Sequence, residues 1–333
     1  MSEALLHAAP AGVARELRTA QIKGLGHHAP ARVVPNTRIA ERIGVDEEWI
    51  VRRTGIESRR WAAEDETLTD MAVSAGARAL ADADVAAADV DLVLVGTMSQ
   101  DDLLPHAAPV VATRLGATRA GAIDVGAACT GWLAALQLAT AQVETGRAEQ
   151  VLVIGADRLS MFLDLDDPQT AALFGDGAGA VVVSAAGEDE GTGIGPIALA
   201  ADGELADRIT LARDEARLRM DGHSTYQVAV KRLTEITQEV CDRAGVGLDD
   251  IDLFVYHQAN GRIIRAVGER LGLPSERVAD YVAGMANTSA ASIPLTLALL
   301  REDGRLRIGQ RVLVAAIGAG FTWGAGVLEW GIG

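Results

Sequence analysis

Aromatic side chains make up only 4% of the 333 residues, cysteine occurs twice, and 30 Lys and Arg face 46 Asp and Glu. Each shortage excludes something. With so few rings, a core drawn from the 49% of hydrophobic residues must be mostly Ala, Val, Leu and Ile. Two cysteines, Cys129 and Cys241, cannot make a disulfide framework, and a reducing cytoplasm is the simple expectation. A formal charge of −16 repels a phosphate backbone, so no nucleic acid is expected as a partner. Long apolar runs are missing too. Residues 1–20 scatter Glu3, Arg15 and Glu16 among alanines, which is no signal-peptide pattern. The longest uncharged stretch, Val125 to Val143, follows Asp124 and contains Thr130, Gln137, Thr140 and Gln142. A buried helix entered from a strand accounts for it, and no membrane partner is expected.

What is present in excess is glycine, 36 of 333 residues, without a collagen-like period. The length suits about two domains' worth of structure. Short Val/Ile/Leu runs at 91–97, 121–125, 150–156, 177–184, 252–257, 311–318 and 324–330 read as strands. Ala/Leu-rich stretches at 67–83, 131–146, 224–244, 261–271 and 293–302 read as helices. Near-continuous apolar strands bounded by helices predict an α/β protein whose sheets are covered on both faces.

These pieces repeat. DVDLVLVGT at 89–97 resembles DIDLFVYHQ at 250–258, and QVLVIGA at 150–156 resembles RVLVAAIG at 311–318, both at an offset of 161. DGAGAVVV at 176–183 matches WGAGVLEW at 323–330 at an offset of 147. The expectation is two copies of one α/β unit, 20–186 and 187–333. Adding the same offset to Cys129 lands on Ala290, so the helix after GAACTG has a counterpart after NTSAAS. If the halves pack about a pseudo-twofold axis, Cys129 and Asn287 become neighbours.

Cys129 lies between a strand and a helix among the small residues Gly126, Ala127, Ala128 and Gly131. It is either a nucleophile, its thiolate favoured by the helix start, or a small buried hydrophobe. Cys241 sits inside a helix and reads as core. His257 ends a strand before a polar loop, where α/β folds bind ligands, though a lone histidine is often only a satisfied polar residue. Asn287 could simply cap a helix. Together the three resemble a cysteine, histidine and asparagine set for acyl transfer. Asp164, Asp166 and Asp167 read as a solvated loop. GDGAGA (175–180) precedes a strand rather than a helix, so it is no phosphate loop.

The motifs EEWIVRRTGIESRR (47–60), GAACTG, FGDGAGA, HQANGRII, NTSAAS and GAGFTWG (318–324) resemble the β-ketoacyl-acyl-carrier-protein synthase III family over about 20–330. The resemblance implies a thiolase-like fold, two duplicated halves with mixed five-stranded sheets stacked as αβαβα. It implies a priming enzyme that self-acylates on Cys129 from acyl-coenzyme A, then condenses decarboxylatively with malonyl-acyl carrier protein in fatty acid or polyketide biosynthesis. His257 and Asn287 would stabilise the enolate. The backbone amides of Cys129 and Ala319 would hold the oxyanion. Trp49 and Arg53 would grip the nucleotide of coenzyme A, Asn260 its pantetheine arm, and Arg262 with Arg265 the carrier protein. Arg52, Arg59, Arg60 and Arg270 would add cationic charge. The family also implies a homodimer, with no permanently bound cofactor and no metal.

The chain departs from the family pattern in places. Ala319 replaces the middle glycine of a Gly-Gly-Gly-Phe motif, Met161 and Val45 stand where many members carry Arg and Thr, and Glu269 replaces a basic residue. Leu103-Leu104 falls where many place an aromatic, making Leu104 the expected acyl-pocket residue. The alternative reading is a related acyltransferase of specialised metabolism that acts on a non-malonyl acceptor, against which Asn287 argues. Degradative thiolases would need a second active cysteine, and a scaffold with a decayed site is a further class.

Overall fold

The apolar runs and alanine-rich stretches become strands and helices in the computed structural model, which describes residues 17–187 and 191–333. Most of residues 1–20, the segment read above for a leader, lies outside the described residues. The first half opens with β1 (Ala20–His28), then β2 (Val33–Pro35), α1 (Asn36–Ile43), α2 (Glu47–Thr54) and β3 (Ser58–Arg60). It continues through α3 (Leu68–Asp82), β4 (Leu92–Gly96), α4 (Ala107–Leu115), β5 (Gly121–Val125), α5 (Gly131–Glu144), β6 (Gln150–Arg158) and β7 (Asp176–Ala185). The second half runs β8 (Gly193–Ala201), β9 (Ile209–Leu211), β10 (Leu218–Met220), α6 (Gly222–Ala244), β11 (Leu253–Tyr256) and α7 (Gly261–Leu271). Then come α8 (Val282–Met285), α9 (Ser292–Glu302), β12 (Arg311–Gly318) and β13 (Thr322–Glu329).

Two mixed sheets form, in the orders β1-β7-β6-β4-β5 and β8-β13-β12-β11. The second has four strands among the described residues where five were expected. The missing edge position is occupied by a single parallel bridge, Phe254 to Val278, beside β11. Residues 279–281 then turn away, because the Ala279 carbonyl and the Tyr281 amide are bonded to the Gln258 side chain rather than to a strand.

α5 and α9 lie between the sheets. Trp132, Leu136 and Val143 of α5 and Ile293, Leu297 and Leu300 of α9 are buried in one cluster with Val151, Val153, Val181 and Val183 of the first sheet. Val255, Val312, Val314 and Leu328 of the second sheet complete it. Each such side chain contributes about 1.5–3 kcal/mol by leaving water. α3 and α4 cover the outer face of the first sheet and α6 and α7 that of the second, completing five layers, αβαβα. Small residues allow the central layers to touch: a side chain at Gly155 would put its Cβ 2.2 Å from the Ala290 carbonyl oxygen. A cap built from residues 34–61, 159–174 and 209–220 closes one side. Its anchor is Arg59, fully buried, whose guanidinium donates to the Val34 and Ala172 carbonyls and to Asn36 Oδ1; burial lowers it to about 10. Arg59 is therefore a structural tie, not the surface charge expected from the sequence.

Candidate active site

β5 ends at Val125, and the chain reaches α5 through a short 3-10 turn, Ala128–Thr130, that carries Cys129. The turn is tight: Ala128 has φ +46, a left-handed conformation that costs a β-substituted residue about 1–3 kcal/mol and clusters at functional sites. Contacts from the other half hold it. The Thr130 hydroxyl donates to the Ala127 carbonyl and accepts from the Thr322 hydroxyl, whose oxygen also lies 3.2 Å from that carbonyl. Gly318, at the end of β12, comes so close that a Cβ there would lie 2.8 Å from the Cys129 nitrogen. Only glycine fits.

The Cys129 sulfur accepts a hydrogen bond from Ser289 Oγ at 3.3 Å. Burial pushes the thiol up to about 12, and the Asp157 carboxylate adds to the rise. A resting thiolate, expected from the helix start, is thus not what the surroundings favour; desolvation outweighs the short helix entry. Asp157 is fully buried on β6 and accepts from the Thr97 and Ser99 hydroxyls and the Met98 and Ala290 amides.

From the second half, His257 follows β11 and is 1% exposed, with its amide on the Ala315 carbonyl. Burial lowers its imidazole to about 3, so the ring is neutral, and its Nδ1 has no partner among the described residues. Asn287 is fixed on three sides. Its amide donates to Leu173, its carbonyl accepts from Gly175, and its Oδ1 accepts from the Ser289 amide at 2.9 Å. That last bond assigns the side-chain orientation and leaves Nδ2, a donor, toward the cavity.

Cys129, His257 and Asn287 line one cavity of about 480 Å³ together with Gly318, Ala319 and Phe321. Its wall is largely apolar, with Leu159, Leu173, Phe174, Ile263 and Ile317, which weakens competition from water for any charge that develops. Trp49, Arg53, Asn260 and Arg262 line the same cavity. The Arg53 guanidinium lies 4.3 Å over the Trp49 ring, one helical turn away on α2, and Arg262 lies over Tyr226.

Other expected residues fare differently. Asn260 caps α7 through Oδ1 and donates from Nδ2 to the Arg53 carbonyl, so it clamps α2 to α7 and keeps one N–H for a ligand. Arg265 does not line the cavity; it is half-exposed and pairs with Asp280 at 3.9 Å. Leu104 is 76% exposed on the loop after β4 and does not line this chain's cavity, so it forms no acyl pocket within one chain. Cys241 is buried in the outer core of the second half, as expected. Asp164 and Asp166 pair with Arg219 and Arg42, and Asp167 caps its own turn. GDGAGA runs directly into β7, which starts at its second residue, Asp176, buried and bonded to the Ala62 and Ser160 amides. Sequence reasoning missed Ser289 and Asp157. The offset of 161 carries Asp157 onto Gly318, the residue packed on Cys129, and would have drawn attention to it.

Two sheets of one kind around a shared helix pair, with the reactive loops of both halves meeting at the centre, is the architecture of thiolase-fold acyltransferases. The 3-oxoacyl-[acyl-carrier-protein] synthase III model matches residues 123–203, and the model of that family's C-terminal region matches 241–330. A β-ketoacyl-[acyl-carrier-protein] synthase III from Rhodobacter capsulatus is 43% identical, covering 93% of this chain and 99% of the relative. One from Staphylococcus haemolyticus is 39% identical, covering 93% and 98%. The crystal structure of the Thermus thermophilus synthase III superposes with a TM-score of 0.90 at 44% identity, over 94% of this chain and all of that one. The priming β-ketosynthase of the R1128 polyketide pathway superposes at 0.92 with 36% identity, over 97% of this chain and all of that one. The chain belongs to the β-ketoacyl-acyl-carrier-protein synthase III family and is an acyltransferase of the priming, condensing type.

Proposed function

We propose that Cys129 takes an acyl group from acyl-coenzyme A and that His257 and Asn287 then direct decarboxylative condensation with malonyl-acyl carrier protein. The observation that carries this is the pair of neutral donors, imidazole and amide, on the wall of the cavity that holds the thiol. Loss of CO₂ from a malonyl thioester moves negative charge onto the thioester oxygen. Two N–H groups in an apolar cavity suit that enolate oxygen, and neither carries a charge that the first acyl transfer would have to overcome. Collapse of the enolate onto the acyl-Cys129 carbonyl forms the new C–C bond and releases the sulfur, leaving a 3-oxoacyl group on the carrier. Backbone N–H groups of Cys129 and Ala319 are the assigned oxyanion donors.

Trp49, Arg53 and Arg262 at the cavity suit a nucleotide and phosphate-bearing arm, with Asn260 beside the pantetheine. Arg262 and Arg265 on α7 form the carrier-protein docking face in this reading. The same reading divides the chain into units 20–186 and 187–333. In support, β4 and β11, β6 and β12, and α5 and α9 all begin 161 residues apart. A homodimer belongs to it as well. β5 is a sheet edge with Ile123 54% exposed, and Leu103 and Leu104 are exposed nearby in sequence. Leu104 can then shape an acyl pocket only across the subunit boundary. Two free cysteines suit the cytoplasm. No helix of the described residues is long and apolar enough to cross a membrane.

The test is intact-protein mass after mixing with acetyl-coenzyme A, coupled to CO₂ release from malonyl carrier protein. The wild type should gain one acyl group and condense. Cys129→Ala should do neither, and Cys241→Ala should do both nearly as well as the wild type. Equal loss in the two variants removes the assignment.

A further inference from the structure

The donors assigned above, His257, Asn287 and the backbone amides of Cys129 and Ala319, all serve oxygen atoms. Sulfur carries charge in this chemistry as well, and twice: when it attacks the thioester, and when it departs from the finished 3-oxoacyl group. Its resting surroundings oppose that charge. Burial raises the thiol, and the Asp157 carboxylate raises it further. A sulfur anion in a dry site needs a donor of its own.

Ser289 supplies one. Its Oγ donates to the Cys129 sulfur at 3.3 Å, from the other half of the chain. The residue is 1% exposed, so bulk water does not compete for the bond. The turn that carries it is fastened along its length. The Ser289 amide is on Asn287 Oδ1, the Ala290 amide is on Asp157 Oδ2, and the Ser292 hydroxyl accepts from the Gln258 amide. Ser289 nevertheless has left-handed backbone, φ +52, where glycine would be free of strain and a side chain is not. The repeat-related position in the first half is Ala128, also left-handed at φ +46 and without a hydroxyl. The strain is common to both turns; the hydroxyl aimed at the sulfur belongs to one of them.

We propose that the Ser289 hydroxyl is the hydrogen-bond donor that stabilises negative charge on the Cys129 sulfur, an inference that rests on Cys129 being the nucleophile. In acylation the S–H bond breaks and a C–S bond forms at the thioester carbonyl. The C–S bond to coenzyme A breaks, and the thiol proton ends on the departing coenzyme A sulfur. In condensation the enolate carbon forms its C–C bond to the acyl carbonyl, the Cys129 C–S bond breaks, and the departing sulfur takes a proton from solvent. The O–H bond of Ser289 stays intact throughout and points at the sulfur while the charge is there. Hydrogen bonds to an ionised partner are roughly twice as strong as neutral ones, so this one tightens as the charge grows. Asn287 serves both sites: its Oδ1 fixes the turn that aims the Ser289 hydroxyl, and its Nδ2 is left for the enolate oxygen.

The experiment follows alkylation of Cys129 by iodoacetamide from about pH 6 to about pH 10, read by mass on the peptide that carries it, in the wild type, Ser289→Ala and Ser289→Gly. Acylation by acetyl-coenzyme A is measured in parallel. Asp157 and His257, the titratable groups beside the sulfur, are the same in all three proteins. Loss of a hydrogen bond to a charged group lowers the thiolate fraction about 10- to 100-fold, and the higher basicity of the remaining thiolate returns part of that as nucleophilicity. Both variants should therefore react about tenfold more slowly at each pH, in alkylation and in acylation alike. Ser289→Gly relieves the left-handed backbone, so a loss shared with Ser289→Ala comes from the hydroxyl rather than from strain, and the glycine variant decides alone if the alanine variant does not fold. Wild-type alkylation rates in the variants overturn the proposal. Faster alkylation overturns it equally, since the hydroxyl would then be holding the thiol in its protonated form. A fall in CO₂ release from malonyl carrier protein by the same factor, without any acyl donor present, would route the loss through Asn287 and overturns it too. A wild type that takes up no acyl group removes the nucleophile assignment instead, and the alkylation rates still decide what the hydroxyl does.

Discussion

α5 and α9 start 161 residues apart, and each enters the central layer from a three-residue 3-10 turn. The same offset carries Ala128 onto Ser289, and both have left-handed backbone, φ +46 and +52. It also carries Asp157, at the end of β6, onto Gly318, at the end of β12. Each of those strand ends meets the turn of the opposite half: Asp157 accepts from the Ala290 amide, and Gly318 packs on the Cys129 amide. The backbone is therefore repeated, strain included, while the side chains on it are not. The first half presents a thiol and a buried carboxylate. The second presents a hydroxyl, an amide donor and, across the cavity, an imidazole. On the proposed function this is a division of labour: acyl transfer would use the first half's sulfur, and stabilising an enolate would use the second half's donors.

The hardest way to break that division is Asn287→Ala. Removing one of two donors aimed at a developing oxyanion costs about 10²–10³ in rate, or about 3–4 kcal/mol. Malonyl decarboxylation and condensation should fall by that factor, and acylated Cys129 should accumulate in the intact-mass assay. His257→Ala should lose condensation as severely. An Asn287→Ala enzyme that stays folded yet neither acylates nor decarboxylates would show that the second half organises the thiol too. One that condenses at the wild-type rate would leave Asn287 as backbone anchor alone.

How far this arrangement is legible without coordinates depends on what the local sequence must satisfy. The central strands and α3, α5, α6, α7 and α9 are legible because burial on both faces demands continuous apolar runs and the helices keep their spacing. β1 and β8 are not. β1 contains Gly24 and Gly26, and a Cβ at Gly26 would sit 2.4 Å from the Ala75 carbonyl oxygen, so α3 rests on bare backbone and strand-forming side chains are excluded there. β8 is an edge strand and carries Gly193, Gly195 and Pro196, a composition that a central strand would not tolerate. That Cys129, His257 and Asn287 come together on one cavity was legible through the repeat and the motifs. The protonation of Cys129 was not, because it is set by desolvation from both halves rather than by its own helix. Arg59 reads as one of four nearby arginines; only folding separates the buried tie from the exposed Arg52 and Arg53 and the half-buried Arg60.

A milder test sharpens the comparison at the cavity mouth, where the two halves meet again: Asn260 of the second half donates to the Arg53 carbonyl of the first. Arg262 opens α7 and faces both the cavity and the Tyr226 ring. Arg262→Glu should raise KM for malonyl carrier protein about tenfold at low salt, with little change in acylation by acetyl-coenzyme A, since rim charges act on encounter and respond to salt. An unchanged carrier KM at low salt would move the docking face elsewhere.

The smallest effect is expected at Leu104, and it asks whether one chain's two halves are enough. Leu104 is 76% exposed and contributes nothing to its own chain's cavity, so in an isolated chain Leu104→Phe should change no rate. On the proposed dimer joined near β5, the same side chain would enter the partner's acyl site, and a larger ring there would shorten the space beyond the sulfur. The expected outcome is a few-fold loss of kcat/KM for branched or medium-length acyl donors with acetyl-coenzyme A nearly unaffected. Steric exclusion in an apolar pocket acts on donor size and leaves the chemical step alone. The measurement is a panel of acyl-coenzyme A donors assayed for both proteins, with the mass of the assembly followed in solution. A uniform loss across all donors would place Leu104 in assembly rather than selection. A wild type restricted to acetyl would show that the pocket is closed by other residues, with Leu159, Leu173 and Phe174 on this chain's own cavity wall the next to test.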